Sequence, residues 1–181
     1  MGINRVSHGQ RRVSPILSFD TKGFLWVMGV TDSALMKQSA RLVSRLGDGY
    51  LYVLIGAAVY LLEPVYGEQF LFAGIVAYAI ELPLYLLLKN LIRRPRPQVS
   101  RLGLRPRHKP SDEFSFPSGH SAAAFLFAIL LSAFYPWVMF PVFILAGLIG
   151  LSRVLLGVHY PSDIAAGILL GCGCALVALQ F

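Results

Sequence analysis

The sequence predicts an all-α, polytopic membrane helix bundle, on three observations. Apolar residues make up 56% of the chain and charged residues only 14%, against about 25% charged in an ordinary soluble domain. Five apolar stretches, at about 49–62, 69–88, 119–135, 137–156 and 162–181, have helical lengths. The connections between them are short, apart from one loop at 90–116 that holds most of the remaining charge. The 181 residues suffice for a single membrane-embedded domain covering 1–181, and no internal repeat or low-complexity segment divides them.

Each element has its own reason. Residues 1–15 are basic and polar and are expected to form a poorly ordered tail. The apolar run Phe24–Val30 is short and has no small-residue cleavage site behind it, so it does not read as a signal peptide. Over 33–46, Leu35, Leu42 and Leu46 share one helical face while Lys37, Arg41 and Arg45 share another. That pattern predicts an amphipathic helix lying in the membrane interface, with Asp32 as N-cap and Gly47 as stop. A spanning helix needs ~20 residues, which suits 69–88, 137–156 and 162–181. The stretch at 119–135 fits if its polar first turn lines a cavity, and 49–62 is short. Turns at Glu63–Glu68 and around Pro136 require antiparallel neighbours. With five spans, the N-terminal segment, the 90–116 loop and the Gly157–Pro161 turn fall on one side of the bilayer.

The formal charge of +7 is unevenly placed. Seven of the sixteen Lys and Arg precede residue 46, eight lie between Lys89 and Lys109, and the last is Arg153. Without a basic–aromatic pattern or nucleic-acid motif, this surplus is read as topology or contact with anionic headgroups, and nucleic-acid binding is excluded. Cys172 and Cys174 are i,i+2 neighbours in an apolar stretch, which makes them packing residues and not a disulfide or a zinc site.

Three polar clusters interrupt this apolar chain, and ionisable groups in a membrane helix mark cavities or functional sites. Lys89, Arg96 and Arg153 are cations suited to phosphate oxygens, arginine through its planar fork. Taken singly, they also suit helix anchors, as do Arg93 and Arg94. Pro117-Ser118-Gly119-His120 opens an apolar stretch. A helix N-terminus there offers free N–H groups to an anion, Ser118 adds a hydroxyl, and His120 is placed as an acid; a serine cap beside an incidental histidine is the plainer reading. His159 and Asp163 lie four apart, with Pro161 suited to the first position of the last helix. Asp163 in that first turn can bond one imidazole nitrogen and leave the other to attack, or it can simply cap the helix. Gly157 gives the chain freedom to turn between Arg153 and His159.

Lys89-x6-Arg96-Pro97, Pro117-Ser118-Gly119-His120 and Ser152-Arg153-x5-His159-x3-Asp163 together resemble the three-part signature of the type 2 phosphatidic acid phosphatase superfamily. The match covers residues 89–163 in type, order and spacing. The resemblance implies that His159 attacks phosphorus to form a phosphohistidine, Asp163 orients it, and His120 protonates the leaving group and then activates water. It also implies that Lys89, Arg96, Ser118, the Gly119 amide and Arg153 hold the phosphate oxygens, with no metal or other cofactor.

The hydrophobic body favours a lipid phosphate as substrate, its tail in the bilayer and its headgroup in the site. The chain is similar to small bacterial undecaprenyl-diphosphate phosphatases; phosphatidylglycerophosphate, phosphatidate and lipid A phosphates stay open. A lipid phosphotransferase using the same intermediate, or a non-catalytic lipid-phosphate binder or flippase, is the alternative. The loop cations Arg101, Arg105, Arg107 and Lys109 suit either a diphosphate headgroup or anionic lipid. Expected partners are the lipid substrate and the bilayer of the cell (inner) membrane, with oligomeric state open. The resemblance favours a periplasmic or extracellular site, whereas the positive-inside rule turns the basic face to the cytoplasm.

Overall fold

The computed structural model describes residues 15–30, 33–97 and 113–181. Seven α-helices follow in order among them: α1 Pro15–Val30, α2 Ala34–Arg45, α3 Gly49–Leu62, α4 Gly67–Ile92, α5 Gly119–Phe134, α6 Met139–Leu155 and α7 Pro161–Ala178. A short 3-10 turn, Pro136–Val138, leads into α6. The β pairing among the described residues is one isolated antiparallel bridge, Pro95 to Phe114. The predicted all-α membrane bundle is what forms, and each of the five apolar stretches is a helix.

Length and composition qualify three segments as spans: α4, the Pro136–Leu155 unit and α7. The α2–α3 pair, bent by 50°, makes a fourth if it is one broken span. The 16-residue α5 is a shorter apolar helix. It runs through the middle of the bundle, packed against α4, α6 and α7. Leu126 and Leu130 on α5 are fully enclosed, whereas Leu54, Leu61, Phe72, Leu87, Phe140, Ile144 and Leu169 on the surrounding helices are exposed. An exposed apolar belt of this extent suits hydrocarbon and not water.

The α5–α7 contact is the closest in the bundle. A Cβ on Gly171 would lie 2.0 Å from the Ala122 carbonyl oxygen, and one on Gly167 would lie 2.4 Å from that of Ser118. Small residues four apart let two membrane helices approach backbone to backbone. The Ser118 amide also donates to the Asp163 carbonyl at 3.0 Å, tying the start of α5 to the start of α7. Two of the three clusters meet through this contact.

Helix α1 was not expected from the sequence, which shows only the short run Phe24–Val30. Its i, i+4, i+8 residues Asp20, Phe24 and Met28 are all buried. Phe24 and Met28 pack with Val154, and the Asp20 carboxylate meets the site network described below. A carboxylate at the head of the buried stripe hides the periodicity. In α2 the predicted amphipathic helix is present, but Ser33 is its N-cap, accepting from the Met36 amide at 3.2 Å. Asp32, the residues before Pro15, and Arg101, Arg105, Arg107 and Lys109 lie outside the described residues.

Candidate active site

Every predicted site residue lies at the end of the bundle where α4 and α6 stop and α5 and α7 begin. The chain leaves α4 through Arg93, whose left-handed φ of 48° turns it sharply. The returning strand is fixed at Ser115, whose amide donates to the Arg94 carbonyl at 2.8 Å and whose hydroxyl reaches the Pro95 carbonyl at 3.2 Å. Gly157, at φ 77°, makes the turn between α6 and His159 that the sequence assigned to it.

His159 is 2% exposed. Its Nδ1 lies 2.7 Å from the Ser115 carbonyl. A carbonyl can only accept, so Nδ1 carries the proton and Nε2 keeps its lone pair. Arg96 Nη1 faces that Nε2 at 3.3 Å and also donates to the Val158 carbonyl at 2.7 Å. Burial, the larger influence, lowers the His159 pKa to about 4; nearby Asp163 opposes this, and Arg96 and Arg153 add to it.

Asp163 takes a different position from the expected one. Its Oδ2 is 3.7 Å from His159 Nδ1, outside hydrogen-bond range. Oδ2 instead accepts the Tyr160 amide at 2.8 Å, capping α7, and Oδ1 accepts Arg94 Nη1 at 2.8 Å. The Ser115 carbonyl, on the segment returning to α5, takes the bond assigned to the carboxylate. Asp163 still sits close enough to act on the ring through its charge.

Arg94, read from the sequence as a helix anchor, is a hub. Besides Asp163 it reaches Ser162 Oγ at 2.6 Å and Asp20 Oδ2 at 2.6 Å, and it lies over the Tyr160 ring at 4.3 Å. Asp20 also accepts from the Ser162 amide at 3.0 Å. Burial alone would raise the Asp20 pKa, but the bonds from Ser162 and Arg94 outweigh it and hold the carboxyl below its usual value. Helix α1 is thereby fastened to the two helix ends that carry the site.

The other predicted residues ring this core. Ser118 is fully buried and caps α5; its hydroxyl is 3.0 Å from that of Ser121. Gly119 packs under Tyr85, whose ring atoms a Cβ would meet at 3.1 Å. Lys89 bonds to the Tyr85 hydroxyl, so it reaches the start of α5 through that ring. Arg153 donates from Nη1 to Ser44 Oγ at 2.5 Å, while its buried Nε has no partner among the described residues. His120 Nε2 lies 3.1 Å from Asp48 Oδ1. A cavity of about 330 Å³ opens beside this pair, between the α2–α3 bend and α6.

Sequence reasoning missed four contributors. The Ser115 carbonyl carries no side-chain signal, and Asp20 needs the position of Arg94 to make sense. Asp48 and Ser44 had a usable signal: both lie at the bend where an amphipathic helix meets an apolar one. Among the described residues, no group of three or more His, Cys, Asp or Glu is gathered as for a metal ion.

A family model, the PAP2 superfamily, matches residues 69–181. The chain belongs to the PAP2 superfamily. The decaprenylphosphoryl-5-phosphoribose phosphatase of Mycobacterium tuberculosis is 36% identical over 161 residues, covering 83% of this chain and 85% of that protein. Among solved structures, Aquifex aeolicus LpxE superposes with a TM-score of 0.80 at 25% identity, over 90% of this chain and 96% of that one. The PAP2-type phosphatidylglycerolphosphate phosphatase of Bacillus subtilis shares the fold, with a TM-score of 0.75 at 24% identity, over 94% of this chain and 87% of that one. The membership expected from the three motifs is borne out.

Proposed function

We propose that this membrane phosphatase removes a phosphate from a lipid headgroup through a phosphohistidine on His159, without a metal ion. The observation that carries the reading is the 2.7 Å contact between His159 Nδ1 and the Ser115 carbonyl, which leaves Nε2 unprotonated toward Arg96. His159 Nε2 attacks phosphorus; the Nε2–P bond forms as the bond to the leaving oxygen breaks. His120 gives that oxygen its proton and then takes one from water. The water oxygen displaces Nε2 and frees phosphate. Arg96, Arg153, Lys89, the Ser118 hydroxyl and the Gly119 amide hold the phosphate oxygens as charge shifts among them. Asp163 offsets the positive charge that the ring gains on phosphorylation.

The substrate class is a lipid phosphate of the undecaprenyl diphosphate, phosphatidylglycerophosphate or phosphatidate type. The similarity to a decaprenylphosphoryl-5-phosphoribose phosphatase adds phosphorylated sugars carried on a polyprenyl phosphate. We place the site on the periplasmic face of the cell membrane, which a reporter fused at Phe181 tests: with five spans, a cytoplasmic C-terminus means a periplasmic site. Phosphate release by purified protein in detergent and EDTA tests the activity. Wild type should release phosphate and His159→Ala should not. Release that persists in His159→Ala, or that EDTA abolishes, would overturn the mechanism.

A further inference from the structure

The cavity beside His120 has features that removal of one phosphate does not use. His159 is enclosed and does not line this cavity, whereas His120 does, so the space next to His120 is where the leaving group goes in the reaction proposed above. Arg41, Ser44, Arg45 and Asp48 line it from α2 and the bend, facing His120 and Arg153. Arg41, Ser44 and Arg45 share one face of α2, and Asp48 joins them from the bend that follows. Three guanidiniums thus meet one carboxylate, and that carboxylate is engaged by His120 at 3.1 Å. Arg153 is 7% exposed, and its Nε is a buried donor with no acceptor among the described residues. An unpaired buried donor is costly unless a ligand accepts from it.

We propose that Arg41 and Arg45, next to the Arg153 that holds the transferred phosphate, form a subsite for a second phosphate, the one that stays on the leaving group. The protein then selects lipids whose headgroup carries two phosphates close together, such as a prenyl diphosphate, over lipids with a single terminal phosphate. This rests on the phosphatase reading and narrows its substrate class. It also gives α2 a task beyond lying on headgroups: the helix supplies two cations to the pocket, while Lys37, on the same cationic face, does not line it. A diphosphate gains from such cations because leaving-group charge grows as the bond breaks.

The test compares kcat/KM for farnesyl diphosphate and farnesyl monophosphate in a neutral detergent, which removes anionic lipid as a competing source of phosphate. Wild type should prefer the diphosphate by at least about tenfold. In Arg41→Gln/Arg45→Gln that preference should fall at least about tenfold, mainly through KM, while Lys37→Gln keeps it. Thermal unfolding in the same detergent confirms that the variants are folded. An unchanged ratio in the double variant, or an equal fall in Lys37→Gln, would overturn the subsite. If wild type releases phosphate from neither substrate, the phosphatase reading fails, and binding of methylenediphosphonate against methylphosphonate still decides the subsite. The double variant should bind the diphosphonate at least about tenfold more weakly and lose selectivity over the monophosphonate; equal binding to wild type would overturn the proposal.

Discussion

The two imidazoles sit in opposite surroundings. His159 is engaged at both nitrogens and enclosed at the turn before α7, whereas the His120 side chain is 28% exposed and faces a cavity. Its partner Asp48 comes from the bend between α2 and α3, and α3 makes few contacts with α5. The contrast matches the demands of the two steps. A nucleophile must keep one tautomer and one direction for every substrate, so a rigid backbone carbonyl is a better partner than a mobile side chain. The group that serves the departing headgroup must accommodate what departs, and an open wall permits it.

The largest effect should come from disturbing the open side. Asp48→Asn keeps the shape but removes the charge facing His120, and single-turnover phosphate transfer should slow by ~10–100-fold for a lipid substrate. The loss should shrink for an activated leaving group that departs without a proton. Equal losses for both leaving groups would mean that Asp48 merely supports the fold.

On the enclosed side, Asp20→Ala strips Arg94 of one carboxylate and Ser162 of its acceptor. Removing one partner of a buried pair costs about 3 kcal/mol, so the protein should unfold at lower temperature in detergent. Activity should fall only several-fold, because Arg94 keeps its 2.8 Å contact with Asp163. Complete loss of activity with unchanged stability would show that α1 acts on the chemistry directly.

A smaller effect lies in the pH profile. Burial lowers His159 to about 4, so the nucleophile stays neutral as pH falls and becomes protonated only near that value. The acid limb of kcat/KM due to His159 should have its midpoint near pH 4, well below the ordinary imidazole range near 6.5. The same shift links to stability: the neutral buried ring favours the folded state above pH 6.5, and this contribution is lost as pH falls toward 4. A midpoint near 6.5 would mean that water reaches the ring.

Much of this architecture was legible because hydropathy and turn chemistry are local properties. Five apolar stretches became helices; Pro161 opens α7, Ser118 caps α5, and Gly157 turns the chain. The site residues came from spacing, and they gather at one end of the bundle. The unread parts are those whose meaning depends on distant partners. Asp20 looks like a surface carboxylate until Arg94, 74 positions later, meets it. Ser115 acts through its backbone, and Asp163 was assigned a bond that the returning loop supplies instead. Gly167 and Gly171 did carry a readable signal, a small-residue pair four apart, which marks the α5–α7 contact.

The most direct test of the account is rapid quenching during turnover of a radiolabelled lipid phosphate, followed by mapping of the label on the protein. The account predicts an acid-labile, alkali-stable phosphoryl group on His159 that forms and decays fast enough to lie on the reaction path, and that is absent in His159→Gln. Turnover at full rate with no labelled protein, or a label on another residue, would contradict it.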